Sequence, residues 1–258
     1  MRVMTFNLRF ANPIDGTNAW EFRKELVAAV ILKHAPDLLG TQEGTVPQLD
    51  YLSSHLPGYA PLTAHREVDV TCQYPTIFYR TPGFKVKESR EFWLSETPTV
   101  HRSKSWYSAF PRLVTYGLFQ EETRGLPFYF INTHLDHISS EARLQGARMI
   151  RDYFLPLNKP LILVGDFNEP PDSPVYDQLL GRGIPLVDTW RTIHPLGEDP
   201  PTQHGFDGHP RGSRIDWILL TPPFRVLKAV IVTDNQDGRY PSDHFPYAAL
   251  TGFCLPRL

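Results

Sequence analysis

Short apolar segments that are typical of β-strands dominate the sequence. Eight of them are rich in aromatic or β-branched residues and bounded by Pro, Gly or Asp: RVMTFNLRF, DLLGTQE, PTIFYR, RLVTYGLF, PFYFINTHL, PLILVGDF, RIDWILL and VLKAVIVT. Three further segments show helical signals, the first at a capping box of Asn18 and Glu21, the second near Ser140, and the third from Ser173 to Gly181. This mixture favours two β-sheets packed together with helices outside over an alternating parallel-sheet fold.

The 258 residues contain no convincing linker, fixed-period repeat or low-complexity region, so we expect one domain over residues 1–258. The two cysteines, Cys72 and Cys254, suggest neither a zinc cluster nor a disulfide framework. No signal-peptide pattern opens the sequence and no segment approaches the roughly 20 apolar residues that span a bilayer, so a cytoplasmic location and no membrane partner are expected. Nothing in the sequence indicates an obligate protein partner.

Six of the apolar segments end in, or carry, polar residues that a hydrophobic core would not tolerate alone. These residues are Asn7, Glu43, His134, Asp166 with Asn168, Asp216, and Asp243 with His244. Taken singly, each has an ordinary structural explanation. Asn7 could form a turn, Glu43 could be a solvated strand end, and Asp166 could cap a loop through an Asx turn. Asp216 is harder to explain, because a carboxylate between Ile215 and Trp217 in an apolar run needs a strong partner.

If the segment ends converge, four carboxylates share one cleft: Glu43, Asp166, Asp216 and Asp243. Two such charges about 4 Å apart repel by about 4 kcal/mol at an effective dielectric constant near 20, so several need a cation to stay ionised together. Carboxylate and amide ligands without cysteine indicate a hard ion, Mg²⁺ or Mn²⁺, rather than zinc. His134 and His244 beside such a cluster would supply hydrogen-bond donors and a proton source for phosphoester cleavage.

Six motifs in this order resemble those of the endonuclease/exonuclease/phosphatase superfamily, the DNase I-like proteins: TFNLR, GTQE, INTHLDH, GDFNEPPDS, RIDWILL and YPSDHFP. The resemblance extends from Met1 to about Leu250, and NAWEFRK also looks like compact bacterial members. It implies a four-layer α/β sandwich in which two mixed β-sheets pack face to face with helices outside. Because this fold hosts several chemistries, specificity would have to come from the loops.

The resemblance also implies roles for the metal ligands. Glu43 looks like the principal magnesium ligand, supported by Asn7 and, directly or through water, by Asp243.

The catalytic roles follow from the same motifs. Asp166 resembles the residue that orients and deprotonates the attacking water, and Asn168 the one that holds this water and the phosphate. His244 would contact phosphate oxygens with Asp216 as its carboxylate partner, and His134 is similar to a second phosphate contact and leaving-group acid.

Three residues are candidate substrate contacts. Arg112 in FPRLVTY matches a family arginine that binds phosphate, although a surface strand cation is the alternative. His204 lies in a Gly- and Pro-containing loop that suits the rim of a site or, alternatively, is merely solvated. Tyr74 could stack on a base or sugar, or serve as a packing residue.

The expected function is therefore a Mg²⁺- or Mn²⁺-dependent phosphodiesterase that acts on a small molecule or a nucleic-acid end. The alternatives are a DNA or RNA nuclease and a phosphomonoesterase on a sugar or inositol phosphate. A net charge of −2 without an extended basic run weakens the nuclease alternative, because counterion release drives much of nucleic-acid affinity. A non-catalytic binding protein is disfavoured, because every chemistry-bearing position holds the expected residue type.

Overall fold

The computed structural model describes residues 1–62, 66–122 and 126–253, so Cys254 lies outside the described residues. Two mixed sheets of six strands form its centre. The first sheet has the order β11-β12-β1-β2-β4-β3, where the strands are β1 Arg2–Asn7, β2 Leu38–Gly44, β3 Tyr59–Leu62, β4 Tyr74–Arg80, β11 Phe224–Ile231 and β12 Tyr247–Phe253. The second has the order β5-β6-β7-β8-β10-β9, where the strands are β5 Phe84–Trp93, β6 Leu113–Glu121, β7 Pro127–His134, β8 Leu161–Asp166, β9 Val187–Asp188 and β10 Asp216–Leu220.

In the part of the chain that the structure describes, five α-helices lie outside the two sheets: α1 Lys24–His34, α2 Val46–His55, α3 Ser140–Phe154, α4 Pro174–Leu180 and α5 Thr189–Ile193. Three hydrophobic clusters separate the layers. One lies between the sheets and contains Val3, Phe130 and Val164, the second packs α1 and α2 on the first sheet, and the third packs α3 and α4 on the second sheet. The expected four-layer α/β sandwich is confirmed. None of the helices in the described ranges is long and apolar enough to cross a bilayer.

All eight segments expected to be strands contain one, and the second and third helices begin and end close to the predicted points. Ser139 caps α3 by accepting a hydrogen bond from the Ala142 amide, and Ser173 caps α4 by accepting one from the Tyr176 amide. The predicted start of the first helix is wrong. Residues 13–22 form short 3₁₀ turns instead, and the helix begins at Lys24.

Two buried polar side chains join the two sheets just before the carboxyl ends of strands β2 and β7. Gln42 on β2 donates to Oδ1 of Asn132 on β7 at 2.7 Å, and Asn132 donates in turn to the carbonyls of Thr41 and Thr76. Because unpaired polar groups in this position would be costly, the bonds favour a single alignment of the two sheets.

A close contact between β7 and β8 explains a glycine next to the site. A Cβ on Gly165 would lie 2.3 Å from the carbonyl oxygen of Thr133, so only glycine lets the strands pair this closely. His134 and Asp166 are the paired residues that immediately follow this contact.

Candidate active site

The polar residues at the strand ends meet at one edge of the sandwich. β1 and β2 run parallel, and so do β7 and β8, so each pair ends on the same side. β10 runs antiparallel to β8, which puts its first residue, Asp216, opposite Asp166, the last residue of β8. Strand pairing therefore brings these two carboxylates together.

Asp166 lies at the centre of the cluster and is only 1% exposed. Its carboxylate accepts hydrogen bonds from Nδ2 of Asn7 at 2.9 Å and from the amide of Asn168 at 2.9 Å. Nε2 of His134 lies 3.4 Å from Oδ2 of Asp166, and Nε2 of His244 lies 4.0 Å from it. Burial and then the charge of Asp216 raise the pKa of Asp166 to about 7, against the opposing effects of His244 and the hydrogen bonds.

Asp216 and His244 form a buried pair behind Asp166. Oδ2 of Asp216 lies 2.9 Å from Nδ1 of His244, while Oδ1 of Asp216 is buried without a hydrogen-bond partner among the described residues. Burial acts to lower the pKa of His244, but the charge and hydrogen bond of Asp216 hold that pKa well above its ordinary value. His244 is therefore an imidazolium at neutral pH, and its Nε2–H is directed toward the Asp166 side of the cleft.

His134 has the opposite electrostatic setting. Burial and then the positive charge of Arg112 push the pKa of His134 well below its ordinary value, so its imidazole is neutral. Asn168 has a left-handed backbone with φ of 51°, and its Nδ2 lies 3.0 Å from Nε2 of His134 while also donating to the Leu135 carbonyl. Such a conformation is tolerated by asparagine and fixes its amide over the cleft.

The three predicted metal ligands lie beside this group. Glu43, in a left-handed conformation with φ of 62°, accepts hydrogen bonds from Nδ2 of Asn7 at 3.2 Å and from the Phe10 amide at 3.0 Å. Oδ2 of Asp243 lies 4.0 Å from Nε of Arg9.

The donor set fits a hard cation. Three carboxylates line the cleft, those of Glu43, Asp166 and Asp243, and the Asn7 amide bonds to the first two of them. A concentration of negative charge of this kind is stabilised by a divalent ion with oxygen ligands, as Mg²⁺ and Mn²⁺ prefer. One ligand atom from each of Asp166, Asp216 and His244 also lies within 4.8 Å of the others. Because Oδ2 of Asp216 and Nδ1 of His244 are paired with each other, Glu43, Asn7 and Asp243 stay the predicted ligands.

Arg112 and two aromatic rings form one wall of the cleft, whose volume is about 470 Å³. Nη2 of Arg112 lies 3.1 Å from Nδ1 of His137, and its guanidinium carbon lies 5.8 Å from the centroid of the Phe110 ring. The Phe110 ring stacks on His137 with centroids 5.6 Å apart, yet the Phe110 side chain is 55% exposed. A large exposed ring held on a second ring is suited to contact a substrate.

Two predicted substrate contacts do not reach the cleft. Tyr74 is buried at 1% exposure, and its hydroxyl is bonded to the backbone of Glu67 and Asp69. His204 is also fully buried, where its ring stacks on Phe245 with centroids 3.9 Å apart. The prediction that these side chains contact substrate is corrected, because a strand aromatic and a loop histidine both turn into packed layers. The backbone amide of His204 instead donates to the Asp243 carbonyl.

Several cleft residues were missed at the sequence level. Asp136, 1% exposed, accepts hydrogen bonds from Ser108 and from the amides of Ala109, Ile138 and Ser139, and so ties the Phe110 loop to the start of α3. The INTHLDH motif carries this carboxylate, but the sequence predicts a role only for His134 within it. Phe110 opens the motif FPRLVTY and His137 ends INTHLDH, but neither motif predicts that the two rings stack in the cleft.

Comparisons with known proteins show what the whole chain is similar to. A sequence model of the Endonuclease/Exonuclease/phosphatase family matches residues 4–244. An endonuclease/exonuclease/phosphatase family protein of Bacteroides thetaiotaomicron is 33% identical, with a TM-score of 0.89 over 99% of this chain and 98% of that one. A mannosyl-6-phosphatase from the same organism is also 33% identical, with a TM-score of 0.88 over 98% of this chain and all of the other. Nocturnin of Drosophila melanogaster is 26% identical over 271 residues, which cover 88% of this chain but only 41% of Nocturnin.

Proposed function

The chain belongs to the endonuclease/exonuclease/phosphatase family, and from this we propose that it hydrolyses phosphate esters with a water molecule activated by Asp166. The observation that carries the proposal is the position of the Asp166 carboxylate. It lies between a neutral His134 and a protonated His244, at the buried end of a cleft lined by Glu43 and Arg112.

Asp166 is suited to the work of a general base. A catalytic carboxylate is most effective when its pKa lies near the working pH, and burial beside Asp216 raises the pKa of Asp166 to about 7. Asn7 and the Asn168 amide hold the carboxylate in one orientation, so a water that it binds is aimed at a phosphorus atom in the cleft. As the water oxygen bonds to phosphorus, its proton passes to Asp166. The bond from phosphorus to the leaving oxygen breaks, and that oxygen takes a proton from solvent.

The remaining cleft residues would bind the phosphate oxygens. His244 is charged and preorganised by Asp216, so it would donate a charge-assisted hydrogen bond that strengthens as negative charge develops. Arg112 and Asn168 would supply further donors. His134 would serve as a neutral phosphate contact, and its depressed pKa argues against the leaving-group acid that the sequence suggested.

Glu43, Asn7 and Asp243 would hold Mg²⁺ or Mn²⁺, which when bound supplies positive charge against the negative charge on the phosphate.

Two substrate classes remain for this chemistry. A phosphodiester was the leading expectation from the sequence, and the proposed attack on phosphorus applies to it unchanged. The second candidate is a phosphomonoester of a sugar, which the mannosyl-6-phosphatase at 33% identity favours. The exposed Phe110 ring on His137 also supports it, because an aromatic ring packs well on the C–H face of a sugar.

A nuclease is a weaker candidate. Arg9 is ion-paired with Asp15, and Arg112 lies 3.5 Å from Asp136, so the cleft offers little unpaired positive charge to a nucleic-acid backbone. Nuclease activity would show itself as cleavage of DNA or RNA that weakens steeply with added salt.

The testing experiment compares three substrates with the purified protein: bis-p-nitrophenyl phosphate, p-nitrophenyl phosphate and mannose 6-phosphate. Each is assayed with Mg²⁺, with Mn²⁺ and with EDTA. We expect metal-dependent turnover, and a loss of about 10³-fold in kcat for Asp166→Asn. The exposed Asp177→Asn variant on α4 serves as the matched control and should retain full activity. Turnover by Asp166→Asn within tenfold of the unaltered protein would contradict the proposed role, and the preferred substrate would distinguish a diesterase from a sugar phosphatase.

A further inference from the structure

Arg23 is a buried arginine whose guanidinium is bonded to backbone carbonyls. The residue is 3% exposed. Its Nε donates to the carbonyl of Asn18 at 2.9 Å, and Nη1 donates to the carbonyls of Leu8 at 2.6 Å and Pro241 at 2.9 Å. Nη2 donates to the carbonyl of Arg9 at 2.6 Å. Four of the five N–H groups are thus used on separate peptide units.

Three of these four carbonyls, those of Leu8, Arg9 and Pro241, belong to the two segments that carry candidate metal ligands. Leu8 and Arg9 directly follow Asn7, whereas Pro241 precedes Asp243 by two residues and lies 218 positions from Arg23 along the chain. Arg23 therefore joins the end of the first strand to a loop near the other end of the chain.

The charge of Arg23 is not neutralised by an ion pair with any described residue. Among the described residues, no carboxylate lies within salt-bridge distance of its guanidinium. The Trp20 and Phe206 rings lie 5.3 Å and 5.5 Å from it. Burial lowers the pKa of Arg23 to about 10, against the charges of Asp243 and Glu43, so it stays protonated at neutral pH. Its positive charge is left to act on the acidic side chains of the cleft.

We propose that Arg23 is a positioning residue for the metal site, which fixes the segment after Asn7 against the segment before Asp243. The inference rests on the proposed function, because it takes Asn7, Glu43 and Asp243 as the ligands. Ligand atoms on two loops far apart in sequence bind a cation well only if their spacing is set beforehand. The planar guanidinium sets this spacing by reaching four carbonyls in different directions, whereas a lysine ammonium offers three donors from one point.

The experiment measures Mn²⁺ binding to the purified full chain by the loss of the free-ion signal in electron paramagnetic resonance. Arg23→Lys keeps the charge but removes the planar fork. Arg66→Lys is the control, since the Arg66 side chain is also buried but bonds to the Glu91 carboxylate, Thr76 and the Pro75 carbonyl, and not to the segments that carry Asn7 and Asp243. We expect Arg23→Lys to weaken Mn²⁺ binding by about tenfold or more, as for other residues that orient ligands. Arg66→Lys should lose comparable thermal stability while its Mn²⁺ affinity stays within about twofold. An unchanged affinity in Arg23→Lys, or an equal loss in Arg66→Lys, would overturn the inference.

A second variant keeps the test open if Arg23→Lys does not fold. Ser242 Oγ donates to the Asn7 carbonyl at 2.7 Å and is another bond between the same segments. Ser242→Ala should weaken Mn²⁺ binding by a smaller factor of about threefold, and an unchanged affinity would again overturn the inference.

The outcomes also separate this inference from the proposed function. A protein that binds Mn²⁺ but hydrolyses no phosphate ester would contradict the proposed function, while the affinity ratio of Arg23→Lys would still decide the role of Arg23. A protein that binds no Mn²⁺ would contradict both.

Discussion

Replacing Asp216 with asparagine removes one charge from the buried Asp216–His244 pair and changes little in shape. The paired atoms lie 2.9 Å apart, and at an effective dielectric constant near 20 the attraction between the two charges is about 6 kcal/mol. That attraction is the main reason why the pKa of His244 stays high despite burial. In Asp216→Asn, burial should therefore dominate, and the imidazole should be neutral at pH 7. The loss of a charged donor to the phosphate is expected to lower kcat by about 10²- to 10³-fold.

The pH dependence gives a sharper test than the rate alone. The active form requires Asp166 without its proton and His244 with its proton, so the profile should be a bell. Asp216 raises the pKa of His244, and its removal lowers that pKa, so the imidazolium should be lost at a lower pH. The alkaline limb of the pH profile should therefore shift to lower pH in Asp216→Asn. The activity of this variant should recover in part when the assay is made more acidic.

The assay is the pH profile of kcat/KM from pH 5 to 10 with a p-nitrophenyl ester, beside the Asp177→Asn control. Thermal unfolding would verify that the variant is folded. The reasoning is refuted if Asp216→Asn retains its activity at pH 9 within threefold of the unaltered protein, because the charge on His244 would then not depend on Asp216.

Three further predictions concern the metal, the substrate and stability. Glu43→Gln should weaken Mn²⁺ binding at least about tenfold by calorimetry, and equal affinity would remove Glu43 from the ligand set. Phe110→Ala should raise KM about tenfold for mannose 6-phosphate with kcat little changed, whereas an unchanged KM would argue against a ring contact. Burial lowers the pKa of His204 to about 4, so the unfolded chain binds the extra proton between pH 6.5 and 4, and stability falls as the pH falls through that window. The loss in the free energy of unfolding between pH 7 and pH 4, measured by urea denaturation, should be smaller in His204→Asn by on the order of 2 kcal/mol. An equal loss in the variant and the unaltered protein would contradict the lowered pKa of His204.

Local patterns in the sequence predicted the strands well but failed at the first helix. Asn18 and Glu21 have the spacing of a capping box, yet the helix begins at Lys24. Arg23, just before it, turns its side chain inward to bond carbonyls as distant as that of Pro241. A pattern read over four residues contains no information about a partner 218 positions away.

The failed substrate contacts have a similar cause. Successive side chains of a strand point to opposite faces of its sheet. Because the strand that begins at Tyr74 is apolar on both faces, the sequence does not show which layer the Tyr74 ring packs against. His204 lies in a loop whose composition suggests exposure, but the loop folds back and places the ring on Phe245.

The sequence by itself determined the residue types of the site and the strand ends on which they stand. It also determined the family, since motifs such as GDFN and SDHFP are local in the chain. The tertiary structure decided which of these residues become partners. Strand pairing places Asp216 opposite Asp166, and Asp216 pairs with His244 and holds the pKa of that histidine high. Burial and the charge of Arg112 hold the pKa of His134 low, so the two histidines differ in protonation. The physical reason is that pKa values and cation binding depend on distances between charges and on burial, which only the packing of the two sheets fixes.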